Sequence, residues 1–231
     1  MSKHLVTTNG PDSGLTQTPQ MRARDSLYKR YNARGRKRSN LWLVYSPKID
    51  RDVILDSDMH FIYWLHFLES DPKVESFLMV DKDRKTDPNA LVISRGGERR
   101  ADYLGAPSAM TQSVVFIDHG NEKWHTRYID EEEILNVSKV AQRWLKPIMF
   151  ATAIRGSSLL PLHNALVAAT LQCQSGTIRY LLTQLSGHDP TQALGMIMRH
   201  FVQGRILLDL SNNSFGYNTA WTVIAGDHNA H

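Results

Sequence analysis

The chain has 231 residues, 42% of them hydrophobic and 22% charged, with a formal net charge of +4; that is ordinary globular composition and enough apolar material for one large domain or two modest ones. The lone cysteine, Cys173, excludes an intramolecular disulfide framework and any multi-Cys zinc site, and reads as a small buried apolar residue. No apolar run approaches the roughly 18 residues of a membrane span, and the polar N-terminus lacks the apolar core of a signal peptide, so a soluble, cytoplasmic protein is expected.

The net charge hides an asymmetry. Residues 1–40 carry nine Lys/Arg against two acids, a net of +7, while the other 191 residues carry 18 basic and 21 acidic groups. A basic arm on a mildly acidic body is a common nucleic-acid arrangement. The charge concentrates in Arg34, Arg36, Lys37 and Arg38, beside Tyr28 and Tyr31, which makes these four residues the candidate DNA-phosphate contacts. Residues 1–20 are rich in Thr, Ser, Pro, Gly and Asn and are expected to be disordered. Residues 21–33 could form a short helix.

Order is expected from Leu41. The run LWLVYSPKIDRDVIL reads as two short strands around a turn at residues 46–50. Ser57 is a plausible N-cap for the clearest helix, with Asp58 in its first turn. Met59, Ile62, Leu65 and Leu68 recur at three-residue steps until Pro72 stops the helix. VESFLMV and ALVIS are strands, Gly96-Gly97 makes a hairpin turn, and RRADYLG returns. SVVFID looks like a buried strand. DEEEILNVSKVAQRWL is a helix with acids in its first turn, and KPIMFATA is a closing strand. The order predicts an α/β domain over residues 41–156 with a mixed sheet flanked by helices.

From residue 157 the composition changes: the last 75 residues hold three Asp and three Arg, with no Glu or Lys. Helices are expected at 159–172, 175–186 and 190–204, followed by a hairpin in RILLDLSNNSFGYNTAWTVI. Three helices and a two-stranded wing predict a winged-helix-like α+β domain over residues 157–231, leaving 1–40 as the arm.

The stretch LWLVYSPKIDRDVILDSDMHFIYWLHFLESDPKVESF resembles the start of TnsA-type transposition endonucleases, where a hairpin leads into a Ser-started, Leu-rich helix and an acidic-Pro-x-Val exit. RADYLG resembles that family's x-Asp-Phe-Leu strand, SVVFID falls where its Gln-x-Lys strand lies, and VAQRWLKPIMFATA resembles its next helix and strand. The resemblance covers roughly residues 41–154 and is carried by the order and spacing of these weak motifs. It implies a restriction-endonuclease-like fold, transposon-end DNA and a DDE-type transposase subunit as partners, and Mg²⁺ as cofactor if the site is active. Phosphodiester hydrolysis on this plan needs carboxylates that fix a hard cation and a lysine beside the attacking water. Position by position, the family's helix Glu falls on His60, its strand Asp on Asp102, its Gln on Phe116 and its Lys on Asp118. Only Asp102 matches.

The catalytic candidates are therefore Asp102, Asp118 and His60, with Asp102 and Asp118 as a rebuilt metal pair. Each has a plainer reading: Asp102 as a hairpin-end residue, His60 as a first-turn surface histidine. Asp58 could stand in for the helix acid and Lys123 for the lysine, while Glu131, Glu132 and Glu133 read as a solvated first turn. His60, His119 and His125 could gather around Zn²⁺, but scattered histidines are more often surface residues. No Walker loop, Gly-x-Ser-x-Gly or His-Glu-x-x-His occurs. The expected function is a transposition component with impaired nuclease activity. The alternatives are an active Mg²⁺- or Mn²⁺-dependent endonuclease built on Asp102 and displaced acids, and a winged-helix DNA-binding regulator.

The arm supplies a first prediction. Deleting residues 1–40 is expected to weaken binding of random duplex DNA and to flatten the dependence of log K on log salt. An unchanged slope would show that the arm makes no phosphate contacts.

Overall fold

The computed structural model describes residues 19–33, 40–80, 87–105, 116–119 and 121–224. The chain divides into two compact units, residues 1–37 and 38–231. In the first, the short helix expected at 21–33 is found as α1, Pro19–Ala33. Its Arg22, Arg24 and Lys29 are exposed, as are Tyr28 and Tyr31. The Arg34–Arg38 cluster lies outside the described residues.

In the second unit, β1 (Trp42–Ser46) and β2 (Arg51–Leu55) form the expected antiparallel hairpin. Helix α2 (Asp58–Tyr63) starts where the cap predicts, with Ser57 Oγ accepting from His60 N at 3.1 Å. It runs on as a π-helical segment, Trp64–Glu69. That widening changes which residues face inward. Tyr63, Trp64, Leu65, Leu68 and Glu69 are buried, while Met59 and Ile62 of the three-step stripe are only half-buried. A π turn advances less per residue than an α turn, so a stripe read at helical spacing slips off the core.

A five-stranded mixed sheet follows, in the order β3 (Val74–Met79), β4 (Ala90–Ser94), β5 (Arg99–Leu104), β7 (Glu122–Ile129), β6 (Phe116–His119). All neighbours are antiparallel except β5 and β7, which run parallel. Gly97, at φ +78°, makes the tight turn between β4 and β5. Ala90, Val92, Phe77 and Ile129 join the main core on one face, and Leu91, Ala101 and Trp124 form a smaller cluster on the other. Strand β7 was not expected. Its EKWHTRYI sequence is mostly polar, and only Trp124 and Ile129 are buried. Nor is the described part of SVVFID a buried strand. It is the sheet edge, with Phe116, Asp118 and His119 exposed.

Helix α3 spans Glu131–Ala153 and absorbs the segment KPIMFATA, which was expected as a strand. Pro147 removes one backbone hydrogen bond, yet the buried stripe Ala141, Trp144 (half-buried), Ile148, Ala151 keeps helical period straight across it. Burial of that stripe outweighs the proline's cost. After it come α4 (Leu160–Cys173), β8 (Ser175–Thr177), α5 (Ile178–Gln184), α6 (Pro190–Val202), β9 (Ile206–Leu208) and β10 (Ala220–Val223), the last three strands forming an antiparallel sheet in the order β8-β10-β9. Cys173 is half-buried, its thiol 3.4 Å from Tyr180 Oη. No helix among the described residues is long and apolar enough to cross a membrane.

One core crosses the expected boundary at residue 156. It includes Tyr63, Leu68, Ile129 and Ile148 together with Leu166, Ile197, Phe201 and Trp221. The seam is α3 on α6, where Trp144 stacks on Phe201 with centroids 4.3 Å apart. Gly195 permits the approach: a Cβ there would lie 2.6 Å from Ile154 Cγ2 and 3.0 Å from the Phe150 carbonyl oxygen. Gly195→Ala is therefore expected to lower stability by about 1–3 kcal/mol in urea unfolding, overpacking outweighing the helix-propensity gain of about 1 kcal/mol. Gly187, with nothing within 4 Å of the corresponding position, serves as control: Gly187→Ala should be near neutral. Equal effects at the two sites would refute the close packing.

Candidate functional site

The residues that sequence reasoning singled out on α2 and β5 do meet, through a residue it missed. Asn89, 4% exposed, precedes β4 and bonds both strand and helix. Its backbone N–H donates to the Asp102 carbonyl (2.7 Å), and its side-chain oxygen accepts from Leu104 N (2.8 Å). That fixes the amide so that Nδ2 donates to His60 Nε2 at 2.6 Å. The other ring nitrogen of His60 then carries the proton and donates to Asp56 Oδ1, also at 2.6 Å. Both nitrogens of His60 are thus used to pin the start of α2 to the end of β5.

Asp102 itself has no solvent exposure. Arg100, two residues earlier on the same face of β5, donates from Nε to Oδ1 at 2.7 Å and from Nη2 to Oδ2 at 3.1 Å. Tyr63 Oη, from α2, donates to Oδ2. Burial and the neighbouring carboxylate push the Tyr63 phenol well above its usual pKa, so it remains a donor. Burial works against the Arg100 charge, but its hydrogen bonds to Asp102 overcome this and raise its pKa. In the parallel register Arg127 of β7 stands opposite Asp102. It pairs with Glu133 at 3.0 Å and lies over the Phe67 ring at 5.2 Å. Glu133 is therefore an ion-pair partner, while Glu131 and Glu132 are exposed in the first turn behind the N-cap Asp130.

The structure does not bring Asp118 to Asp102. The strand that follows β5 in sequence is not its neighbour in the sheet, because β7 lies between. Asp118 pairs with Lys123, four residues along β7 from Arg127. At about 3.3 Å per residue and about 4.8 Å per strand, the two Cα positions are roughly 16 Å apart. The expected metal pair is not formed. Lys123 faces Asp118 rather than Asp102. Asp58 is held by Asn40 (2.9 Å) and Trp42 Nε1 (3.0 Å). His125 packs on Phe116 and His119 on Trp124. Among the described residues no group of three or more His, Cys, Asp and Glu is placed to hold a metal ion. A hydrated divalent cation does not fit at Asp102, since both its oxygens and both His60 nitrogens are already bonded within the protein.

A second buried carboxylate, Glu69, ends the π-helical segment with no solvent exposure. Ser46 Oγ donates to its Oε1, while Oε2 has no partner. Lys48 Nζ donates to the carbonyls of Leu68 (2.6 Å) and Asp71 (2.7 Å), capping the helix end. Burial raises the Glu69 pKa and lowers that of Lys48. The sequence gives no sign of this pair, because the two residues lie on separate elements and neither interrupts a pattern.

The C-terminal helices carry a histidine pair. Arg205 Nη1 lies 3.4 Å from His163 Nε2, and His163 Nδ1 lies 3.0 Å from His200 Nε2. Arg205 can only donate, so His163 Nδ1 bears the proton and donates to His200. Two grooves beside α5 and the β9–β10 loop, of about 430 and 360 Å³, share Arg179 and Tyr217.

No protein-family model matches the chain, and no curated protein matches it.

The histidine pair predicts a pH dependence. Burial, then Arg205, His163 and Arg199, push His200 down to about 3, and burial lowers His163 as well. Between that value and the unfolded pKa of about 6.5, the unfolded chain binds more protons than the folded one. The stability is fully present above about pH 6.5 and is lost as pH falls toward 3, by about 1.4 kcal/mol per unit for one proton. Urea midpoints at pH 7.5 and 5.5 should therefore converge in His200→Gln relative to wild type. A pH response that the substitution leaves unaltered would refute this.

Proposed function

We propose that the chain is a DNA-transposition component of the TnsA type whose nuclease site has become a structural clasp, so that it holds DNA and a DDE-type transposase subunit with little or no cutting of its own. The observation that carries this reading is the sealed state of Asp102: the one acid that matches the resemblance is fully buried, its two oxygens taken by Arg100 and Tyr63. A carboxylate in a metal-dependent nuclease has to offer oxygen to a cation that can reach it, and this one is buried from solvent with both oxygens already engaged. The neighbouring strand presents Arg127 to it in place of an acid. DNA contact is assigned to the arm, with α1 adding exposed Arg22, Arg24 and Lys29.

The element order α4-β8-α5-α6-β9-β10 supports a winged-helix-like C-terminal portion. In a DNA-reading helix-turn-helix the second helix of the pair enters the major groove. Here that helix would be α6, whose residues 193–202 are all buried except Arg199. Since α3 packs on α6, the region is better suited to holding protein than to reading bases.

Two measurements on the full-length protein test this reading: fluorescence anisotropy with random duplex DNA, and a plasmid-nicking assay with Mg²⁺ and then Mn²⁺. Salt-dependent binding without nicking is expected. Nicking that an Asp102→Asn variant abolishes would replace this reading with the active endonuclease, and an absence of DNA binding would remove its basis.

A further inference from the structure

We infer that the groove between α5 and the β9–β10 loop is a binding site for a guanine nucleotide, with the phosphate on Arg179, the base against the Tyr217 ring and the base's hydrogen-bond donors on Asp209. The inference goes beyond the reading above and uses none of its residues. The groove, about 430 Å³, lies in the size range of small-ligand sites. Its lining holds two opposite charges that do not neutralise each other. Arg179 follows the Thr177 cap of α5, and its backbone N–H donates to the Tyr217 carbonyl at 2.8 Å. Among the described residues its guanidinium makes no ion pair or hydrogen bond, and it lies 5.8 Å from the centroid of the Tyr217 ring. Asp209 reaches the same groove from the end of β9, where its N–H donates to the Ala220 carbonyl at 3.0 Å. Its Oδ1 accepts from Ser211 N at 3.2 Å and Ser211 Oγ at 2.6 Å, which holds the carboxyl below its usual pKa and leaves Oδ2 open. On its other side Ala220 pairs with Thr177, so Asp209 and Thr177 flank β10 about 10 Å apart. The sheet thus sets the acid and the arginine apart, with open groove between them.

A ligand that is only anionic would meet Asp209, and one that is only cationic would meet Arg179. A guanine nucleotide answers both. An arginine fork suits a phosphate. An ionised carboxylate can only accept hydrogen bonds, and guanine presents two adjacent donors, N1–H and the exocyclic amine, where adenine sets an acceptor beside its one amine. Asn213 and Asn218 line the same groove and supply amide donors for the guanine acceptors O6 and N7. Tyr217, 55% exposed, offers a ring on which a base stacks. In duplex DNA the guanine donors are paired with cytosine, so the ligand is a free nucleotide or an unpaired guanine in single-stranded DNA.

The test is calorimetric titration of the full-length protein with GMP, AMP, IMP and guanosine, and with the DNA trinucleotides TGT and TAT. GMP is expected to bind about 10- to 100-fold more tightly than AMP, as one hydrogen-bonded charge contributes. IMP lacks the exocyclic amine and should lose most of that preference, as should Asp209→Asn, which keeps an oxygen for Ser211. Arg179→Gln should weaken GMP by a similar factor and leave guanosine unchanged. TGT binding more tightly than GMP marks single-stranded DNA as the source, and the reverse order marks the free nucleotide. Where a variant does not fold, the comparisons of GMP with IMP and with guanosine on wild type decide alone. Three results would overturn the site: no binding of GMP or TGT, equal affinities for GMP and AMP, or a folded Arg179→Gln that binds GMP as wild type does. No readout involves duplex DNA or nicking, so failure here is separate from failure of the transposition reading.

Discussion

The apolar stripe of α3 is the constraint on which the rest of residues 38–231 depends. A 23-residue helix presenting Ile134, Ala141, Ile148 and Ala151 to the interior needs cover along its whole length. The first half of the fold gives only part of it, through α2, the π-helical segment and β1. The remainder is given by α6, which can come close because Gly195 has no side chain. Arg155, just beyond the helix, then ties the same region back to the hairpin, pairing with Asp52 at 2.8 and 3.1 Å and lying 4.1 Å above the Tyr45 ring. Two segments of different composition thereby share one core, and the availability of α6 to any ligand is decided by packing within the chain.

How much of this was legible in the sequence depended on whether the signal was local. The β1–β2 hairpin, the Ser57 cap and the Gly96-Gly97 turn each rest on a few adjacent residues, and each was found where expected. The closing strand was misread because Pro147 counts as a helix breaker locally, while the period that carries α3 through it is visible only over four turns. Strand β7 was missed because a strand largely solvated along its length has little apolar alternation to show. Its omission mattered most for the site. Without β7 the strand after β5 would be its neighbour, and Asp118 would stand near Asp102. With it, the two are separated, and Arg127 takes the adjacent position.

The site residues divide in the same way. Asp102 and His60 were legible as chemistry-bearing positions, but their partners were not. Asn89 lies 29 residues from His60 in sequence, and Tyr63 lies 39 from Asp102. Arg100 offered the one local hint, being two residues from Asp102 on a strand and therefore on its face. An arginine at that spacing from a candidate metal ligand is a signal that the ligand is already engaged.

Among the described residues, the two fully buried carboxylates, Glu69 and Asp102, show why that signal is informative. Glu69 is matched with Lys48, whose ammonium is spent on the carbonyls of Leu68 and Asp71, and one oxygen of Glu69 is left without a partner. Such a group is only partly satisfied, and burial shifts its pKa upward. Asp102 is matched with a guanidinium and a phenol that together engage both oxygens, so its demand is met inside the protein. A nuclease carboxylate has to be left under-satisfied by the protein in order to hold a cation. Between these two acids, the one at the position the resemblance marks is the one whose two oxygens are both engaged within the chain.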